Sequence, residues 1–208
     1  IDRADELREK WQTERGQVWE VGRHRLMCGD CTEPYQFFTS DIGLVLTDPP
    51  YGQNQDGVSH DSPEEHEGII QASVAQFVLS NAAIIAFASP RTFPTWLDAI
   101  RANGQRFERM LWLYKSAQMA FPWRGWILKS ESILVSSVGS PAWLDTHPYA
   151  HDCYYKSEVS GELDDNLGWH GSVKPLDVIR DLMSRVDGDI FDPFLGSGTT
   201  MVAAEQLG

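Results

Sequence analysis

The chain opens on residues 2–11, where apolar positions recur at helical spacing, and Arg15-Gly16-Gln17 reads as the exit from that helix. Beyond it, apolar runs of strand length alternate with longer stretches of helical period. Ile42-Gly43-Leu44-Val45-Leu46-Thr47 is a nearly unbroken apolar run, as expected of a strand buried on both faces. Segments 24–28, 43–47, 83–88, 109–115, 132–137 and 188–191 read as strands, and 64–79, 92–103, 174–186 and 199–207 as helices. This alternation predicts an α/β fold with a largely parallel sheet and helices on both faces. Ligands of such sheets bind beyond the carboxyl ends of the strands, and Asp30, Asp48 and Asp192 all fall at such ends. Residues 147–171 read as irregular and aromatic-rich, with Tyr149, Tyr154, Tyr155 and Trp169.

At 208 residues the chain is sized for one α/β domain with a substantial core. No apolar run approaches a membrane span, and no signal-peptide pattern opens the sequence. Three cysteines, an odd number, argue against a disulfide framework and suit the reducing cytoplasm. Cys28 and Cys31 form a Cys-x-x-Cys pair, for which a redox role is one reading. A zinc site would want a second such pair, and Cys153 supplies a single further thiol, so no metal is expected. The formal net charge of −13 runs against a nucleic-acid partner, which usually meets a basic excess. The acids are unevenly placed, however, with 56–67 and 158–165 acid-rich. Arg101, Arg106, Arg109, Lys115, Arg124 and Lys129 cluster in the middle of the sequence, either as a local basic face for phosphates or as scattered solvated charge.

Two segments carry chemistry. Asp48-Pro49-Pro50-Tyr51 closes the apolar run at 42–47. Prolines fix φ and donate no backbone hydrogen bond, so their carbonyls stand as acceptors in set directions. The tetrapeptide reads either as an ordinary turn or as a rigid acceptor pocket beneath a ring, suited to a planar amine. Phe191-Asp192-Pro193-Phe194-Leu195-Gly196-Ser197-Gly198-Thr199-Thr200 joins a short strand to a helix. Glycines at such a turn let backbone approach a ligand, and the helix amino terminus offers N–H groups. Neither the dinucleotide fingerprint nor the phosphate loop is matched, and no lysine follows Gly198.

Together these segments resemble the motifs of S-adenosylmethionine-dependent amino-methyltransferases acting on exocyclic amines of DNA bases. Catalytic motif first and cofactor loop last is similar to the circularly permuted beta class, N6-adenine type. His24 to Cys31 resembles the strand and acidic turn ahead of the catalytic motif, and Val173-Lys174-Pro175 the start of the helix before the cofactor loop. The resemblance covers residues 17 to 208 and implies a Rossmann-like methyltransferase fold, circularly permuted. It also implies a family strand beyond Glu205-Gln206-Leu207-Gly208, ending in an acid that binds the cofactor ribose. That predicts a piece of a longer protein, with 1–208 a catalytic domain truncated at its carboxyl end and 105–170 holding target-recognition insertions.

The resemblance also implies residue roles. Asp48, Pro49, Pro50 and Tyr51 are the expected catalytic set, with Asp48 and the Pro49 carbonyl accepting from the amine and Tyr51 stacking on a base flipped out of DNA. The cofactor S-adenosylmethionine is expected against Asp30, Cys31, Asp48, Asp192, Pro193, Phe194, Gly196, Ser197, Gly198, Thr199 and Thr200. In that set Asp192 accepts from the methionine ammonium and Asp30 from the adenine amine. Lys174 either meets the methionine carboxylate or is an exposed lysine at a helix start. Residues 52–61 are a lid or a plain surface loop. Residues 118–126 with 147–171 are the expected recognition surface, where Arg124 and Trp126 could stack on bases or simply pack, and Lys129 adds charge. DNA and a second copy of the chain are the expected partners. Asp rather than Ser at position 48 favours adenine over cytosine; RNA or protein amines and a degenerate DNA-binding module are the alternatives.

Overall fold

The computed structural model describes residues 3–33, 42–51, 63–77, 81–115, 129–145, 151–156 and 173–208. The elements run α1 (Arg3–Trp11), β1 (Val18–Val21), β2 (His24–Met27), β3 (Ile42–Thr47), α2 (Pro63–Gln76), β4 (Ala83–Ala88) and α3 (Phe93–Ala102). They continue β5 (Arg106–Lys115), β6 (Ser130–Ser137), β7 (Cys153–Lys156), α4 (Leu176–Met183), β8 (Asp189–Phe191) and α5 (Thr199–Leu207).

The main sheet has six strands in the order β7-β5-β6-β4-β3-β8. β3 pairs parallel with β4 and with β8, and β5 parallel with β7, while β6 is antiparallel to both of its neighbours. Among the described strands, five therefore point one way and β6 alone is reversed, the mostly parallel α/β sheet that the alternation predicted.

Side chains of the central strands alternate between the two faces with the pleat, and both faces are buried. Leu44, Leu46, Ala83, Ile85, Phe87, Ile133 and Val135 face one side, where Val178, Ile179, Leu182 and Met183 of α4 and Ala203 of α5 cover them. Val45, Ile84, Ala86, Ala88 and Leu134 face the other side, under Ile70 and Val74 of α2 and Trp96, Ala99 and Ile100 of α3. Helices on both faces explain why these central strands read as continuous apolar runs.

Gly43 marks where β3 and β8 slip in register. A Cβ there would lie 1.9 Å from the Asp187 carbonyl oxygen, so only glycine admits this approach.

Three sequence expectations change. Residues 24–27 do not join the main sheet; β2 pairs antiparallel with β1 in a separate two-stranded hairpin, and its alternating half-buried and exposed residues suit that setting. Within the segment read as irregular, 153–156 is a strand and extends the sheet beside β5. The helix read over 174–186 begins only at Leu176, because Pro175 is extended (φ −60°, ψ 126°) and a residue before proline is held out of helical geometry.

Residues 52–61, 118–126 and most of 147–171, read as lid and recognition surface, lie outside the described residues, as do Arg124 and Trp126. Among the described residues, no helix is long and apolar enough to cross a membrane.

Candidate active site

Strand direction decides which residues meet. Asp48 follows β3 and Asp192 follows β8, and because these strands are parallel neighbours both acids emerge at one end of the sheet. The reversed β6 begins at that same end, so Ser130 and Glu131 stand opposite Tyr114 and Leu113 near the close of β5. Lys174 reaches the same place from the extended segment ahead of α4.

Around Asp48 the contacts are short. The Lys174 Nζ donates to Asp48 Oδ2 at 2.5 Å, and the Tyr51 hydroxyl donates to Asp48 Oδ1 at 2.6 Å. Lys174 also lies 3.7 Å from Glu131 Oε2, and Lys115 pairs with Glu131 Oε1. The Lys174 side chain is only 4% exposed, and its ammonium stands 5.4 Å from the Tyr51 ring centre and 5.0 Å from that of Phe87. Burial, reinforced by the negative charges of Asp48 and Glu131, pushes the Tyr51 phenol well above its ordinary range, so it stays a neutral donor. Burial lowers the Lys115 ammonium, a tendency that the Glu131 charge opposes.

The loop after β8 is built on Asp192. Its Oδ1 accepts from the Phe194 amide at 3.0 Å and its Oδ2 from the Thr200 hydroxyl at 2.6 Å, which ties the strand end to the first turn of α5. Gly198 caps that helix at φ +83°, in the left-handed region, and no side chain caps it. A Cβ on Gly198 would meet nothing within 4 Å, so conformation rather than space requires glycine there. The Ser197 and Thr199 hydroxyls lie 3.0 Å apart beside it. Burial lifts the Asp192 carboxyl from 3.8 to about 6; the Thr200 and Phe194 hydrogen bonds work against that rise, and the nearby Asp48 charge adds to it.

An open cleft of about 940 Å³ runs beside β8, and Gly29, Cys31, Phe191, Asp192, Pro193 and Thr200 are among its walls. The hairpin is held to this region by the His24 ring, 3.0 Å from Glu205 Oε2 on α5. Asp30 turns into its own loop, where its Oδ1 accepts from the Thr32 amide at 2.9 Å and the Thr32 hydroxyl at 2.6 Å, and Arg15 lies 3.4 Å from its Oδ2.

The structure thus brings Asp48, Tyr51 and Lys174 into one cluster, sets Asp192 and Thr200 beside it, and places Cys31 and Asp192 along one cleft. Lys174 is not the exposed helix-start lysine that the sequence allowed: it is buried against Asp48. Among the described basic residues of the middle region, surroundings differ. Arg106 begins β5 and pairs with Glu108 at 2.7 Å, whereas Lys115 ends the strand inside the acid–base cluster. Lys129 lies just ahead of β6, where its carbonyl accepts from the Lys115 amide at 2.7 Å. Sequence reasoning missed Glu131. Its available signal was a charge placed directly before the buried run Ser132–Val135, at a strand start where only a partner makes burial tolerable.

No protein-family model matches the chain. The type II methyltransferase M.HindIII of Haemophilus influenzae is 29% identical over 113 residues, which cover 49% of this chain and 33% of that protein. The match therefore spans about a third of that relative's length. Among solved structures, the M1.HpyAVI–SAM complex superposes with a TM-score of 0.59 at 20% identity, over 80% of this chain and 77% of the other. The PvuII DNA methyltransferase (cytosine-N4-specific) does so with a TM-score of 0.64 at 17% identity, over 82% and 73%. The fold is the one these methyltransferases have.

Proposed function

We propose that the chain carries the catalytic centre of an S-adenosylmethionine-dependent DNA methyltransferase of the permuted beta class, which methylates the exocyclic N6 amine of adenine. One observation carries this reading: Asp48 and Asp192 close neighbouring parallel strands, so an amine-accepting pocket and a cofactor loop lie side by side. The relatives' names support methyl transfer and the cofactor, while the choice of adenine rests on Asp48 and runs against the cytosine-N4 name of the PvuII enzyme.

The residues present fit the cofactor. Asp192 is a carboxylate with a raised pKa beside an uncapped helix start, which suits a ligand bringing both a cation and hydrogen-bond acceptors. Asp192 would take the methionine ammonium, and the backbone from Pro193 through Phe194, Gly196 and Ser197 to Gly198 would wrap that end. Thr199 and Thr200 begin the helix, Cys31 lines the cleft, and Asp30 would have to turn out of its Thr32 contacts to accept from the cofactor's adenine amine. The bound cofactor supplies a methyl group already activated on a sulfonium sulfur.

What the chain adds is positioning and electrostatics. The amine of adenine is a poor nucleophile because its lone pair is delocalised into the ring. Asp48 Oδ1 and the Pro49 carbonyl would accept its two N–H bonds and draw the nitrogen toward a pyramidal geometry. Pro50 holds the turn rigid. Tyr51 donates to Asp48 Oδ1 in the present arrangement, an oxygen with a second lone pair for the amine, and the Tyr51 ring would stack on the flipped base. As that nitrogen takes up the methyl group, Asp48 or a water beside it would accept the amine proton. Arg124, Trp126 and Lys129 are assigned to DNA contact, with Trp126 a stacking surface. A second copy of the chain is the expected assembly.

The test is incubation with labelled S-adenosylmethionine and DNA, RNA or protein, followed by digestion and identification of the product. Label in N6-methyladenine that is lost in Asp48→Ala is the expected result. Label in N4-methylcytosine would move the assignment to the base that the PvuII name states, and label only in RNA or protein would overturn the DNA reading.

A further inference from the structure

Four charged side chains alternate in sign through the site. Lys115 ends β5, Glu131 opens β6, Lys174 precedes α4 and Asp48 follows β3, so each comes from a different part of the chain. Lys115 pairs with Glu131 Oε1, Glu131 Oε2 lies 3.7 Å from Lys174, and Lys174 lies 2.5 Å from Asp48 Oδ2. Their side chains are 20%, 14%, 4% and 23% exposed in that order.

A buried ion pair contributes little to stability compared with apolar residues of the same volume, so stability alone does not account for four such charges at one sheet end. A lysine side chain is long and loses much rotamer freedom when fixed. Here the Tyr51 and Phe87 rings flank the ammonium, and carboxylates pull on it from two directions. The pull toward Asp48 acts at hydrogen-bond distance, and the pull toward Glu131 is longer and electrostatic. Asp48 is thereby held at Oδ2 by a fixed cation, while Oδ1 accepts, among the described residues, the exchangeable Tyr51 hydroxyl.

We propose that Glu131, itself held by Lys115, is a positioning residue: it anchors the Lys174 ammonium so that Asp48 keeps one orientation and presents Oδ1 to the substrate amine. This rests on the amino-methyl-transfer reading of Asp48. Glu131 touches neither substrate nor cofactor in this scheme and acts only through Lys174.

The experiment combines steady-state methylation with nitrogen-15 spectra of the lysine ammonium groups, on wild type, Glu131→Gln, Glu131→Asp, Lys174→Met and the Glu131→Gln/Lys174→Met double variant. Glu131→Gln is expected to lower kcat by about 10- to 100-fold, the scale of a misplaced reacting group, with cofactor Kd and DNA KM within about twofold. Glu131→Asp, which keeps the charge, recovers most of that loss. The double variant is no slower than Lys174→Met alone, because the removed carboxylate has nothing left to anchor. The Lys174 ammonium signal, resolved in wild type, broadens in Glu131→Gln. An unchanged kcat in Glu131→Gln, or losses that multiply in the double variant, overturns the proposal. A wild type that methylates no substrate refutes the transfer reading instead; the ammonium spectrum then decides the anchoring, and an unaltered Lys174 signal in Glu131→Gln refutes it.

Discussion

The Asp192 carboxyl, lifted from 3.8 to about 6 chiefly by burial, should make cofactor affinity and protein stability respond to pH in opposite directions. A cationic ligand needs the ionised carboxylate. With a pKa near 6, about nine-tenths of the sites are ionised at pH 7 and about one-tenth at pH 5, so the apparent Kd for S-adenosylmethionine should weaken about tenfold between them. The ligand's own α-amino group, with an ordinary pKa of about 7.7–8.0, stays protonated throughout. Stability runs the other way. The folded pKa is above the unfolded one, so between roughly pH 4 and 6 the folded state holds a proton that the unfolded state has released. The ligand-free protein is therefore stabilised at the acid end, and that contribution is lost as pH rises through the window. Two pKa units correspond to at most about 3 kcal/mol, an upper bound because Asp192 is only partly shielded from water. Titration calorimetry at pH 5, 6 and 7 reads the affinity, and urea unfolding over the same range reads the stability. Asp192→Asn should bind weakly with no pH slope over this window. A wild-type Kd that changes less than twofold, or an equal slope in Asp192→Asn, would refute the assignment of Asp192 to the cofactor cation.

Three further outcomes follow from the geometry. Lys174→Met leaves Asp48 and Glu131 sharing one remaining lysine; breaking a buried pair costs about 3–5 kcal/mol. With Asp48 23% exposed, about 2–3 kcal/mol is expected, a fall in melting temperature of about 5–10 °C by differential scanning calorimetry. Gly43→Ala sets a methyl group 1.9 Å from the Asp187 carbonyl; chemical denaturation should show a loss of more than about 2 kcal/mol, since β3 and β8 must separate to admit it. Tyr51→Phe keeps the ring and loses only the hydroxyl on Asp48, so kcat should stay within about threefold, whereas Tyr51→Ala should raise the DNA KM while cofactor binding is retained.

Much of the fold was legible because its signals are local. Strands buried on both faces must be apolar at every position, and 42–47 and 83–88 announced themselves in that way. The helices of the two faces carried their own period, and α5 was read to its observed ends, Thr199–Leu207. Asp48 and Asp192 were recognisable because a strand end bearing a carboxylate, proline or glycine is a local pattern. The hairpin and β7 were misread for a related reason. Four-residue strands such as Cys153–Lys156 are too short to establish a period, and their identity depends on the partner they meet.

The site shows the same division. The sequence by itself determined that acids close two strands and that a glycine loop opens the last helix, since backbone conformation and burial along a strand are encoded residue by residue. Which charges face each other was decided only in three dimensions. Lys174 meets Asp48 across 126 positions of chain, and Glu131 joins them only because β6 runs against its neighbours and so begins where they end. Strand direction and register depend on the whole sheet, and no local pattern around Lys174 or Glu131 states which carboxylate or ammonium completes it.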